Sequence, residues 1–139
     1  MKRSIVVGMA LVGALSAKAS AAGPARDSRF SDEKLILIEA NLVAGLSDAD
    51  RPTLQASAAG VLRQVKEYAP EYDFSSAVIP LMAIVKDESK DEPARILAAL
   101  ALHSLHSGRG DYAIKTTAWF TGNERVKKIC SALAFEGVK

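Results

Sequence analysis

The chain has 139 residues, of which 49% are hydrophobic and 24% are charged. These proportions are typical of one globular domain and exclude a disordered or low-complexity chain. Three of the 18 basic residues and none of the 16 acidic residues precede residue 22. Residues 22–139 therefore contain 15 basic and 16 acidic residues and have a formal charge of −1. This balance excludes the basic surface on which nucleic-acid binding depends.

Residues 1–21 have the pattern of a secretory signal peptide. Residues 1–3 make a short basic start, and residues 4–17 are small or apolar. This apolar stretch is shorter than the ~20 residues that a membrane-spanning helix needs. Ala19 and Ala21 form an A-x-A pattern, so we expect cleavage after Ala21 or Ala19. The mature chain is therefore expected to be extracytoplasmic, periplasmic or secreted, without a membrane-inserted segment.

The remainder of the chain is divided by helix start and stop signals. Ala and Leu dominate its periodic segments, and the alternating pattern of a β-strand does not occur, so an all-α fold is predicted. The predicted helices cover residues 34–46, 52–69, 75–86, 92–105, 112–120 and 124–134. Their expected N-caps are Ser31, Asp50 or Arg51, Asp91, Asp111 and Asn123, with Gly108 as the left-handed residue that ends the fourth helix. The predicted domains are a signal-peptide helix (1–21), a tether (22–30) and a folded domain (31–137).

Angular spacing at ~100° per residue predicts which side chains form the core. The expected buried stripes are Leu35, Ile38, Leu42 and Leu46 in the first helix, Leu54, Ala58, Val61, Leu62 and Val65 in the second, and Val126, Ile129, Cys130, Leu133 and Ala134 in the sixth. Glu39 falls between the apolar positions of the first helix, so we expect it to meet a basic side chain or backbone N–H groups of the next helix pair. Cys130 is the only cysteine and is interpreted as a small buried residue, with an intermolecular disulfide as the alternative.

The six helices form three hairpins whose sequences align with one another. In the second helices, Gln55, Ala59 and Leu62 match Arg95, Ala99 and Leu102 at a spacing of 40, and these match Lys127, Ser131 and Ala134 at a spacing of 32. In the first helices, Leu42, Leu46 and Asp48 match Leu81, Val85 and Asp87 at a spacing of 39. A helical unit that repeats with this period is the signature of a solenoid, in which neighbouring hairpins bury one another.

The middle copy resembles a HEAT repeat. Pro80 in its first helix, the acidic turn over residues 87–92, Arg95 at the start of its second helix and the Ala and Leu residues of 98–102 follow the pattern of that family. Residues 110–134 resemble its shorter HEAT-like variety. The resemblance implies a short right-handed α-solenoid of about three helical hairpins, which binds partners on a concave face lined by second helices. It implies no chemistry.

Candidate sites of chemistry are few. His103 and His106 lie three residues apart on one helix, a spacing compatible with two metal ligands, but Asp111 is the only close acidic candidate. We therefore predict no catalytic residue, cofactor or metal site. Arg95 is expected to bridge Asp91 or Asp87 across the acidic turn. The aromatic residues Tyr112, Trp119, Phe120 and Phe135 are expected to close the end of the solenoid, with a binding anchor as the alternative.

These patterns predict an exported, non-enzymatic scaffold or adaptor for a protein partner of unknown identity. The predicted binding surface consists of exposed positions on the second helices, namely Gln55, Arg95, His106, Lys127 and Lys128. The alternative is a small metal-binding or enzyme-accessory protein that uses His103 and His106. Self-association through the terminal helices also stays open, because an apolar end of a helical stack invites a partner.

Overall fold

A computed structural model of the protein describes residues 30–136 as a series of helices joined by short connections. Within this range there are six α-helices and no strand, which confirms the all-α prediction. The predicted signal peptide and residues 22–29 of the predicted tether lie outside the described residues. None of the helices in the described range combines the length and the hydropathy that a membrane span requires.

The helices agree with the predicted ones to within a few residues at each end. They are α1 (Asp32–Leu46), α2 (Pro52–Tyr68), α3 (Val78–Lys86, preceded by a 3-10 turn at Ser75–Ala77), α4 (Glu92–Ser104), α5 (Gly108–Phe120) and α6 (Glu124–Ala134).

Two of the predicted caps make the expected bonds. The Ser31 hydroxyl accepts a hydrogen bond from the backbone N–H of Lys34 at the start of α1. At the start of α6, Asn123 Oδ1 accepts from two backbone N–H groups of the first turn. Arg51 and Asp91 occupy the N-cap positions of α2 and α4 without a side-chain bond, and a proline lies in the first turn of each of these helices. Such a proline has no N–H to satisfy, so these starts depend less on a capping side chain.

The junction between α4 and α5 differs from the prediction. Gly108 does not end α4 but is the first residue of α5, and the left-handed position after α4 is taken by His106, whose φ is 51°. Asp111 is not the cap of α5, because the Ser107 hydroxyl accepts a hydrogen bond from Gly110 N at 3.0 Å and starts the helix one turn earlier. The sequence misleads here because glycine is the residue expected at a left-handed position.

The helices pack in consecutive pairs, and these pairs contact one another in chain order. α1 packs on α2, α3 on α4, and α5 on α6. Contacts also join α1 to α3 and α3 to α5, while α2 contacts α4 and α4 contacts α6. α4 therefore lies at the centre of the described fold, as its strongly apolar sequence predicts. Ala98, Ala99 and Ala101 of α4 are fully buried, and such small side chains allow close approach of its neighbours.

α2 buries a stripe that differs in part from the predicted one. Leu54 and Val61 are 37% and 44% exposed, whereas Gln55 and Ala59 are buried beside Leu62. The buried face is turned toward α4, which packs on α2. Because α2 is rich in alanine, two of its faces look apolar in the sequence, and the contact with α4 decides between them.

Glu39 finds partners of a kind that the sequence does not predict. Its carboxylate accepts hydrogen bonds from the Tyr72 hydroxyl, at 2.8 Å, and from the Ser76 hydroxyl. The expectation of a basic side chain or backbone N–H groups is therefore wrong, and the partners lie in the connection and the 3-10 turn that lead into the following helix pair. Burial first, and then the adjacent Glu39 carboxylate, raise the pKa of the Tyr72 phenol.

Candidate functional site

Arg95 is the centre of a buried polar cluster in the first turn of α4. Its side chain is 1% exposed. Its Nε donates a hydrogen bond to the backbone carbonyl of Val85 at 3.0 Å. Its two terminal nitrogens donate to the Glu88 carboxylate at 3.2 and 2.9 Å, and one of them also donates to the Thr121 hydroxyl at 3.1 Å. The guanidinium thus joins α4 to the end of α3, to the α3–α4 connection through Glu88 and to the α5–α6 connection through Thr121.

Glu88 is the acidic partner of Arg95, and the prediction of Asp91 or Asp87 is wrong. The hydrogen bond from Thr121, followed by that from Arg95, holds the pKa of the Glu88 carboxyl below its usual value. Asp87 instead accepts bonds from the backbone N–H and the hydroxyl of Ser89, which lower its pKa. The turn contains four acidic residues, so the sequence alone does not tell which of them pairs with the arginine. The structure pairs it with Glu88.

Gln55 makes the corresponding contact in the first helix pair. It is 3% exposed, and its Nε2 donates to the backbone carbonyl of Leu46 at 2.8 Å. Gln55 and Arg95 are matched in the sequence alignment of the hairpins, as are Leu46 and Val85. Because Gln55 and Arg95 are both buried, the prediction that they are exposed on a binding surface is wrong. Their bonds join the two helices within a pair.

Lys127, the third member of this aligned position, is different. Both Lys127 and its neighbour Lys128 are exposed on α6. Neither lysine side chain has a hydrogen bond or ion pair within the described part of the chain. The other basic residue of α6, Arg125, forms an ion pair with the carboxylate of Glu92 in α4, with 3.2 Å between nitrogen and oxygen. α6 therefore presents two adjacent exposed lysines that form no ion pair with a described carboxylate.

A cleft of about 290 Å³ lies between the C-terminal ends of α4 and α6 and the first half of α5. His103, His106 and Asp111 all line it, so the structure brings together the three residues of the histidine hypothesis. The two imidazole rings are 5.9 Å apart between centroids, and His103 Nε2 lies 2.7 Å from the carboxylate of Glu136. The sequence gives no sign of Glu136 as a partner. Lys127 and Lys128 are not among the residues of this cleft.

If His103 and His106 bind a metal ion, further ligands must lie close to them. In the described range, no group of three or more His, Cys, Asp or Glu side chains is placed so that it could hold a metal ion.

The aromatic residues of the last helix pair are exposed. Tyr112, Trp119 and Phe120 of α5 are between 55% and 78% exposed, and Phe135 after α6 is 48% exposed. Lys115 places its Nζ 5.1 Å from the centre of the Trp119 ring. These side chains form part of the surface at the C-terminal end of the described fold, where a large aromatic residue is a frequent contact for a partner.

Cys130 is fully buried on α6. Burial raises the pKa of its thiol to about 11, and the positive charge of Arg95 opposes this only in part. A buried thiol that is protonated at neutral pH is not a nucleophile. The position thus agrees with the interpretation of Cys130 as a small core residue.

Comparison of the chain with known protein families, with curated proteins and with solved structures finds no match.

Proposed function

We propose that the protein is an exported, non-enzymatic interaction module, a short right-handed α-solenoid of three HEAT-like helix pairs that acts as a scaffold or adaptor. The chain-order contacts of the helix pairs support the solenoid arrangement. The matched bonds of Gln55 and Arg95 support the repeat, because residues that are equivalent in the alignment make equivalent contacts. The signal-peptide pattern of residues 1–21 supports export.

The observation that carries a binding role is the change of environment at Lys127. In the first two helix pairs the side chain at this position is buried and bonded to the preceding helix, whereas in the last pair it is an exposed lysine next to a second one. Adjacent cations without a partner attract an acidic surface and direct its approach. We infer that α6 binds an acidic segment of a protein partner through Lys127 and Lys128. His106 lies in the cleft and contributes to a separate part of the surface.

The test is capture of partners from the exported fraction of the source cells by the purified protein. The double variant Lys127→Glu/Lys128→Glu is expected to lose the captured partner, and the wild-type interaction is expected to weaken as salt rises, since exposed charges are screened. Lys86→Glu is the matched control, because Lys86 is an exposed lysine of α3. Equal capture by the double variant and the wild type would refute the proposed surface. Arg95→Glu is unsuitable for this test because it places a carboxylate in the core.

A further inference from the structure

The two ends of the described helix series each carry exposed apolar side chains. On α2, Leu54, Val61 and Tyr68 recur at every seventh residue, which places them along one side of the helix. The buried residues Ala59 and Leu62 lie at other angles around the helix, on the side that packs on α4. The stripe is partly exposed: Leu54 lies beside Gly45 of α1, the Tyr68 ring lies 6.5 Å from the Phe30 ring, and Val61 is 44% exposed. Leu37 of α1, 64% exposed, extends this N-terminal face, which we define by Leu37, Leu54, Val61 and Tyr68.

The other end of the series has an aromatic face. Tyr112, Lys115 and Trp119 follow one another at helical spacing on the side of α5 that is opposite the buried Ala113 and Thr117. Together with Phe135 after α6, these residues define the C-terminal face, and Tyr112 and Lys115 of this face also line the cleft. In helical repeat proteins the terminal repeats need a polar outer surface for solubility. Both terminal pairs of this protein instead expose large apolar side chains.

The charges of the two terminal pairs are opposite. Residues 30–70 contain four basic and six acidic residues, a formal charge of −2. Residues 107–136 contain five basic and three acidic residues, a formal charge of +2. Contact between unlike ends of two chains is therefore attractive, whereas contact between like ends is repulsive, and such charge patterns select partners and orientation.

We propose that the N-terminal face of one chain docks on the C-terminal face of a second copy, so that the chains associate head to tail. The α1–α2 pair of the second copy then lies where a fourth helix pair would follow α6. This inference rests on the serial arrangement proposed above. A head-to-tail interface is heterologous, so a pair of chains still has one free face of each kind and can bind further copies.

Sedimentation velocity of the purified protein over a wide range of concentrations tests the proposal. The wild type is expected to form species that grow with concentration beyond the dimer, and high salt is expected to weaken them. Val61→Glu blocks the N-terminal face and Trp119→Glu blocks the C-terminal face. Each variant alone is expected to stay monomeric, but an equimolar mixture is expected to form dimers and nothing larger. The reason is that the intact C-terminal face of Val61→Glu can dock on the intact N-terminal face of Trp119→Glu, and the remaining two faces of that dimer are blocked.

Several outcomes would overturn the proposal. These are a wild type that stays monomeric at every concentration, a mixture that stays monomeric, or one variant that still dimerises alone, which indicates a symmetric joint. Leu37→Glu and Tyr112→Glu repeat the test at second exposed positions, and Ile79→Glu, at an exposed position of α3, is the control that leaves assembly unchanged. A monomeric wild type that still captures an acidic partner through Lys127 would refute the assembly and leave the proposed function standing.

Discussion

Gln55 and Arg95 each donate a side-chain N–H bond to a backbone carbonyl near the end of the preceding helix, at 2.8 and 3.0 Å. The carbonyls belong to Leu46 and Val85, which are also matched in the alignment of the hairpins. The last carbonyls of a helix have no partner within the helix, so a buried helix end requires a donor from outside. A long polar side chain at the start of the next helix supplies that donor in both pairs.

Replacement of Arg95 by methionine tests the importance of this contact. The methionine retains much of the apolar volume but leaves the Val85 carbonyl and the Thr121 hydroxyl without their donor, so we expect a loss of about 2–4 kcal/mol in the free energy of unfolding. Urea denaturation measures it. Arg125→Met is the matched control, because the side chain of Arg125 is 74% exposed and its ion pair with Glu92 is on the surface. This control is expected to change stability by less than about 0.5 kcal/mol. Similar losses in the two variants would contradict the role of burial.

The lowered pKa of the Glu88 carboxyl predicts that the stability of the protein depends on pH. Its pKa in the folded protein lies below the unfolded value of 4.5, because Thr121 and Arg95 donate hydrogen bonds to the carboxylate. The stabilisation is therefore complete above the unfolded pKa and is lost as the pH falls through the folded pKa. We expect the wild type to exceed Glu88→Gln in thermal stability at neutral pH and the difference to shrink as the pH falls below the unfolded value of 4.5. A difference that is constant over this range would show that the charge of Glu88 is not responsible.

Replacement by alanine is expected to have opposite effects on stability at Gly110 and at Gly60, because the two positions differ in the space for a Cβ atom. A Cβ at Gly110 would lie 2.8 Å from both Leu102 Cδ1 and the Ser107 hydroxyl, whereas nothing lies within 4 Å of a Cβ at Gly60. Gly110→Ala is expected to lower the free energy of unfolding by about 1–3 kcal/mol through overpacking. Gly60→Ala in the interior of α2 is expected to raise it by about 0.5–1 kcal/mol, since alanine favours the helix. Chemical denaturation of both variants checks the pair, and an equal sign of the two effects would refute the packing argument.

Periodicity and capping were sufficient to predict the six helices, apart from the start of α5. Ser31, Asn123 and the prolines at the starts of α2 and α4 act locally, so a sequence reader can place them. The left-handed conformation of His106 was not predictable, because residues other than glycine seldom adopt a positive φ and Gly108 lies two positions later in the sequence. Such a strained residue beside a cleft is a feature that only the structure reveals.

The candidate site was less predictable than the helices. The sequence alignment correctly matched Gln55 with Arg95, but it took both for surface residues because long polar side chains are usually exposed. Their burial depends on a carbonyl acceptor from another helix and, for Arg95, on Glu88 and Thr121. Such partners come from separate segments of the chain. Only the three-dimensional packing decides that Lys127 at the equivalent position stays exposed.

Cys130 supplies the last prediction, which concerns reactivity. Burial raises the pKa of its thiol from 9.0 to about 11, which lowers the thiolate fraction at neutral pH by about 100-fold, and access to the thiol is blocked as well. We expect slow alkylation by iodoacetamide in the native protein and fast alkylation in denaturant, followed by mass spectrometry. The double variant Cys130→Ala/Ala132→Cys is the control, because position 132 is exposed on the same helix and its thiol should react rapidly in the folded state. Rapid alkylation of native Cys130 would show that α6 opens readily from α4 and α5.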